Sequence, residues 1–137
     1  MPFFLPSLKK SGHLDRVDMT VCNVGSRKVT SNDDYGTQGW QLFAPNLTIY
    51  GFDADPDACA AANAEFEARD VHWNEFHLPI AIAKEVGTST LYVTKNPMCS
   101  SLYPPNEAFL KRFPRLPNLA GLNFETPIET TTLDTFC

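Results

Sequence analysis

The residues best placed for chemistry are Asp53 and Asp55, which close the stretch Thr48-Ile-Tyr-Gly-Phe-Asp-Ala-Asp-Pro56. An apolar, β-prone run that ends on a carboxylate and turns at once into a helical pattern sets that group at the carboxyl edge of a sheet. Open α/β sheets bind ligands along that edge, and an acidic residue there can take both hydroxyls of a ribose. The two carboxylates divide by task. Asp55 precedes Pro56 and an alanine-rich run, where it serves as a helix N-cap with proline at the first helical position. Asp53 has no such task, and a carboxylate at a buried strand end is costly without a partner. A pair of ligand hydroxyls suits it, so Asp53 reads as the ribose-binding residue of an adenosine-type cofactor.

Asn23-Val24-Gly25-Ser26 is the second candidate, at the tip of an earlier β-prone run. A glycine there lets backbone approach a ligand closely, and free amides of the turn can face an anion such as a carboxylate. The plainer role for Gly25 is a turn residue with positive φ. There is no GxGxxG, and a long polar loop stretches the Gly25-to-Asp53 separation beyond the ~20 residues of the dinucleotide fingerprint. Phosphate or dinucleotide binding is therefore weakly supported. His72 and His77 flank Trp73-Asn-Glu-Phe76 at a step that fits no one-face helical metal pair, and in a strand they point to opposite faces. They read as surface histidines or as supports for a neighbouring group, not as metal ligands. Ser100 and Ser101 lack both a GxSxG setting and an assignable base, so loop hydrogen bonding is their expected role. No catalytic residue can be named.

The elements that must hold these residues follow from periodicity. Residues 1–14 read as a lead-in, because Pro2, Pro6, the Lys9-Lys10 pair and Ser11-Gly12 prevent a long regular element. In residues 16–25, Val17, Met19 and Val21 alternate with Asp18, Thr20 and Cys22, a first strand ended by Gly25. Residues 26–39 are a polar loop, and a short helix beginning at Trp40 stops near Ala44 because Pro45 follows. A strand over Leu47–Phe52, a helix over 56–68 and a third strand over 71–76 imply parallel pairing through a right-handed crossover. Residues 80–83 are apolar, Lys84 to Gly87 turn, and 88–94 alternate as a further strand, antiparallel after so short a turn. A brief helix over 107–113 buries Phe109 and Phe113. Residues 114–123 read as loop and 125–132 as a threonine-rich strand, and Leu133 begins an element that Cys137 cuts off. The expected class is α/β, a Rossmann-like sheet with an antiparallel β addition, ending in mid-fold.

The totals narrow the partners. At 137 residues the chain is long enough for one core. Its net charge of −5 argues against a nucleic-acid partner, which would want a basic stripe. No run of apolar residues is long enough for a membrane span, and the opening Met-Pro-Phe-Phe-Leu-Pro is too short for a signal peptide. Four cysteines, at 22, 59, 99 and 137, show no zinc or CxxC spacing. Cys22 and Cys59 suit small buried positions in a reducing compartment, with cytoplasm as the default.

Several stretches, taken together, resemble the FkbM family of S-adenosylmethionine (SAM)-dependent methyltransferases. They are Val21-Cys-Asn-Val-Gly-Ser26, Tyr50-Gly-Phe-Asp-Ala-Asp-Pro56, Ala81-Ile-Ala-Lys-Glu-Val-Gly87 with Leu91-Tyr-Val-Thr94, Ser100-Ser-Leu102 and Thr131-Thr-Leu-Asp134. They run in the family's order over residues 17–136. The resemblance implies that 15–137 is the cofactor-binding part of a class I methyltransferase-type domain, inactive alone, from an enzyme methylating an oxygen of a small molecule or glycan. It implies that Asn23, Gly25 and Ser26 lie near the methionine end of SAM, Asp53 and Ala54 at the ribose, and Ile80 and Ala81 near the adenine. Asn23 stands where the family usually has aspartate, and Ala54 replaces the proline after the acid. The family's Lys-x-Asp-x-x-Gly strand follows the point where this chain ends. Two rivals stay open: an NAD-binding Rossmann oxidoreductase, in which Asp53 keeps its ribose role, and an α/β domain that binds no cofactor.

Overall fold

The run Leu47–Phe52 reads as almost wholly apolar because it forms the middle strand of a parallel sheet, with Leu47 and Ile49 completely buried and Phe52 nearly so. The computed structural model describes residues 4–28 and 39–137. They fall into two compact units, Met1–Pro79 and Ile80–Cys137. In the first, β1 (Met19–Val24), β2 (Leu47–Phe52) and β3 (Asn74–Leu78) lie in the order β1-β2-β3 with both pairings parallel. Helix α2 (Pro56–Glu67) connects β2 to β3. The first unit is thus α/β with a parallel sheet compatible with a Rossmann-like arrangement.

The register puts Asn23, Gly51 and His77 in one row across the sheet, and Val21, Ile49 and Glu75 in the next row on the same face. That face carries the core: Leu14, Phe43, Leu47 and Ile49 are buried together, with Leu8, Met19, Val21, Trp40, Leu42 and Trp73 against them. Residues 4–14 contribute to it through Leu8 and Leu14. They form α1 (Phe4–Lys10), and Lys9 Nζ bonds the Ala44 carbonyl at 2.7 Å and Asp15 at 3.0 Å. A 3₁₀ turn at Trp40–Phe43 stops at Ala44, ahead of Pro45 as expected. The expected polar loop at 26–39 lies outside the described residues from 29 to 38.

The third strand sits later than residues 71–76. Val71 and His72 precede it, and its buried positions are Glu75 and His77, so polar residues carry the burial that hydropathy assigns to Val71, Trp73 and Phe76. Its outer edge is closed by α2: Asn63 Oδ1 accepts the His77 N–H at 2.8 Å, and Asn63 Nδ2 donates to the His77 carbonyl at 2.9 Å. One amide side chain thus satisfies both edge groups of that residue, which keeps another strand from adding there.

The second unit holds a separate sheet of β4 (Ala81–Ile82), β5 (Gly87–Thr94) and β6 (Leu122–Thr131) in the order β4-β6-β5. Strand β5 is antiparallel, but its partner is β6 and not the preceding segment; β6 lies between them and pairs β4 in parallel. The short turn sets direction, while the non-local strand takes the hydrogen bonds. Two helical expectations change. Helix α3 (Glu107–Leu110) ends early, and Phe109 and Phe113 meet at 5.4 Å between ring centroids yet stay 48% and 44% exposed. Residues 114–123, expected as loop, contain α4 (Leu116–Ala120), whose proline falls in the first turn where its missing N–H costs nothing. Helix α5 (Leu133–Phe136) closes the chain. Among the described residues, no helix is long and apolar enough to cross a membrane.

Asp55 caps α2 as its sequence position requires, accepting the N–H groups of Asp57 at 3.0 Å and Ala58 at 3.2 Å. Arg27 Nη2 reaches the other oxygen at 2.6 Å. Burial alone would raise the Asp55 pKa, but the Ala58 hydrogen bond, the Arg27 charge and the Asp57 hydrogen bond together hold it below its ordinary value. Replacing Asp55 by alanine is expected to destabilise the fold by about 1 kcal/mol, with asparagine recovering most of that. Urea unfolding of the two variants measures it, and equal losses for both would contradict the capping assignment.

Candidate functional site

The chain leaving β1 turns sharply, and each amide of that turn has a partner on β2. Gly25 holds φ at +75°, the left-handed region that glycine enters without strain. This brings the Gly25 and Ser26 N–H groups onto the Phe52 carbonyl at 2.8 and 2.9 Å. The Arg27 N–H donates to Asp53 Oδ2 at 3.1 Å, and the Asp55 N–H donates to Asp53 Oδ1 at 3.0 Å. Two expectations are corrected by this. The turn's amides at 25, 26 and 27 are not free for an anion, because β2 takes all of them. Asp53 is not short of partners either, because one backbone N–H reaches each of its oxygens.

Capacity for a ligand remains at this edge. An ionised carboxylate offers about four acceptor positions, and the two amides occupy one on each oxygen. Asp53 is half-buried, at the carboxyl end of the middle strand. Among the described residues, a Cβ built on Gly25 meets nothing within 4 Å. Arg27 grips both acids, Asp53 through its amide and Asp55 through its guanidinium. The Cys59 thiol points at the Asp53 carbonyl at 3.8 Å; burial, and next the Asp53 charge, push its pKa up, which disfavours the thiolate.

Of the residues singled out in the sequence, Gly25 and Ser26 bond the Phe52 carbonyl, the residue before Asp53, and Asp53 takes the next amide of the same turn, with Ala54 following directly. Asn23 stands one row from the strand end, beside Gly51. Ile80 and Ala81 belong to the second unit, where Ala81 pairs with Thr130. His72 is exposed, whereas His77 is buried. Ser100 Oγ accepts the Thr94 N–H at 3.2 Å and Ser101 Oγ the Tyr103 N–H at 3.1 Å, both loop contacts. A cavity of about 250 Å³ in the second unit is lined by Thr94, Cys99, Tyr103, Asn106 and Phe109 among others. Of the residues weighed in the sequence, Ser101 lines it.

Sequence reading missed a polar row beneath the turn. Ser26 Oγ lies 3.4 Å from His77 Nδ1, and His77 Nε2 lies 2.8 Å from Glu75 Oε1. Trp73 Nε1 donates to Glu75 Oε2 at 3.4 Å. The side chains of His77 and Glu75 are 1% and 0% exposed, and Ser26 is 2% exposed. Serine, histidine and glutamate in this order are the parts of a nucleophile, its base and an orienting acid. Here no substrate carbonyl can reach the serine, so the row acts as an internal brace. Burial alone would raise the Glu75 pKa; the His77 and Trp73 hydrogen bonds, then the charges of His77 and Lys28, bring it below its ordinary value. Its contribution to stability is therefore present above the unfolded carboxyl's pKa and lost as pH falls through the folded one. The spacing of Glu75 and His77, two apart in a strand beside a glycine on the neighbouring strand, is the signal that could have found the row.

Gly51 makes the row possible. A Cβ there would lie 2.6 Å from His77 Nδ1, 2.7 Å from Ser26 Oγ and 2.8 Å from Ser26 Cβ. No family model, curated protein or solved structure matches this chain. Gly51→Ala is expected to cost about 1–3 kcal/mol in urea unfolding, as overpacking of a filled site does. A loss below about 0.5 kcal/mol, ordinary for a tolerant surface position, would contradict the close packing.

Proposed function

We propose that the first unit binds the adenosine portion of SAM, with Asp53 on the ribose, and that the chain is the cofactor-binding part of a methyltransferase acting on a small molecule or glycan. Asp53 carries the reading. It is a half-buried carboxylate at the carboxyl edge of the middle parallel strand, fixed, among the described residues, by one N–H on each oxygen, where a carboxylate oxygen can accept two. The two neighbouring hydroxyls of a ribose present two donors to such a group. Among the described residues nothing crowds Gly25, which suits close approach of a ligand to the backbone.

The engagement of the turn's amides favours SAM over a dinucleotide. A pyrophosphate needs free N–H groups at this turn, and those of Gly25, Ser26 and Arg27 are committed to β2. SAM supplies a methyl group already activated as a sulfonium. The chain's own residues then contribute binding and orientation of the reacting partners. The placing of Asn23, Gly25 and Ser26 near the methionine end rests on the FkbM resemblance and belongs to the same proposal.

Calorimetric titration with SAM tests it. Asp53→Ala is expected to weaken binding by about 10- to 100-fold, the effect of removing a charged hydrogen-bond acceptor. NADH is expected not to compete. Unchanged SAM affinity in the variant, or displacement of SAM by NADH, would overturn the assignment.

A further inference from the structure

We infer that the buried row Glu75–His77–Ser26 positions the ribose-binding carboxylate, by locking the turn that presents the Arg27 amide to Asp53. The inference rests on the SAM reading for its functional half and on geometry alone for its mechanical half. The order of contacts is continuous. Glu75 Oε1 holds His77 Nε2 at 2.8 Å, and His77 Nδ1 lies 3.4 Å from Ser26 Oγ. The Ser26 N–H is held by Phe52, and the next N–H along the chain, that of Arg27, donates to Asp53 Oδ2 at 3.1 Å. A side chain at the end of β3 thus restrains a turn at the end of β1, across the gap that Gly51 leaves in β2.

The pairing of the ring nitrogens agrees with this direction of control. Glu75 takes one ring nitrogen of His77 as its partner, which leaves the other, Nδ1, facing the Ser26 hydroxyl. The Asn63 amide fixes the His77 backbone on both its N–H and its carbonyl, so the ring has a rigid base. Ser26 is the adaptable member, held through its hydroxyl from below and through its amide by Phe52. With the hydroxyl removed, the backbone at 26 and 27 keeps its amide bonds but loses the side-chain tether. Asp53 then receives the Arg27 N–H less often. Glu75 and His77 are positioning residues, their side chains buried away from any ligand, and Ser26 joins them through its buried hydroxyl.

Ser26→Ala separates the two halves of the inference. Amide hydrogen exchange on the ligand-free chain is expected to speed up at Arg27 by about five- to tenfold, as loss of one buried hydrogen bond implies. Exchange at Ile49, in the middle of β2, is expected to stay within about twofold, because the core there is untouched. SAM affinity is expected to fall by about three- to tenfold, less than for Asp53→Ala. His77→Gln serves as the second variant, with the same local pattern expected. Exchange at Arg27 that is unchanged, or that rises no more than at Ile49, would overturn the inference. Wild-type chain that binds no SAM while Arg27 exchange responds as described would instead overturn the SAM reading and leave the brace standing.

Discussion

The first unit depends on how the end of β2 receives the chain leaving β1. One carbonyl, that of Phe52, and one carboxylate, that of Asp53, collect the Gly25, Ser26, Arg27 and Asp55 amides. Backbone groups at the end of a parallel strand have no ladder to continue into, and buried ones must find partners elsewhere. Here β2 supplies them, and the solution fixes the turn, the start of α2 and the orientation of Asp53 together. A positive φ at Gly25 is what lets the chain fold back sharply enough.

Beneath that turn the same logic recurs with side chains. The face of the sheet that carries Leu47 and Ile49 is otherwise apolar apart from Asn23, yet it buries Glu75 and His77, which lie in the rows of Ile49 and Gly51. A fully buried carboxylate is tolerated because an imidazole and an indole both donate to it. Among the described residues, no buried side-chain nitrogen or oxygen lacks a partner. Such a network is demanding, since removing one member leaves the others buried and unmet. It also ties strand ends that are far apart in sequence into one rigid edge, the property a ligand site at that edge requires.

Much of this was legible from residue types. An apolar strand ending in Asp-Ala-Asp-Pro announced β2, its cap and α2, and a glycine closing an alternating run announced the turn with positive φ. Asp55's role followed from its place before Pro56. What was not legible shares one cause: the decisive partners are distant in sequence or polar where burial is read from apolar content. Glu75 and His77 look like surface residues until the register sets them beside Ile49 and Gly51. Arg27's amide has no sequence signature as a partner of Asp53. In the second unit, nothing local to residues 80–94 reveals that β6 will lie between β4 and β5. The helix α4 hid behind prolines, one of which merely occupies its first turn.

We propose that Asp53, held by the Arg27 and Asp55 amides, takes the ribose of an adenosine-type cofactor. The most direct test is a ¹⁵N-correlation NMR titration with S-adenosylhomocysteine, following the two N–H groups that donate to Asp53. Ribose hydroxyls arriving at that carboxylate must change the acceptor those amides share. The Arg27 and Asp55 resonances are expected to shift in step and saturate together, while that of Ile49 stays in place. Saturable shifts elsewhere with Arg27 and Asp55 unmoved would contradict it.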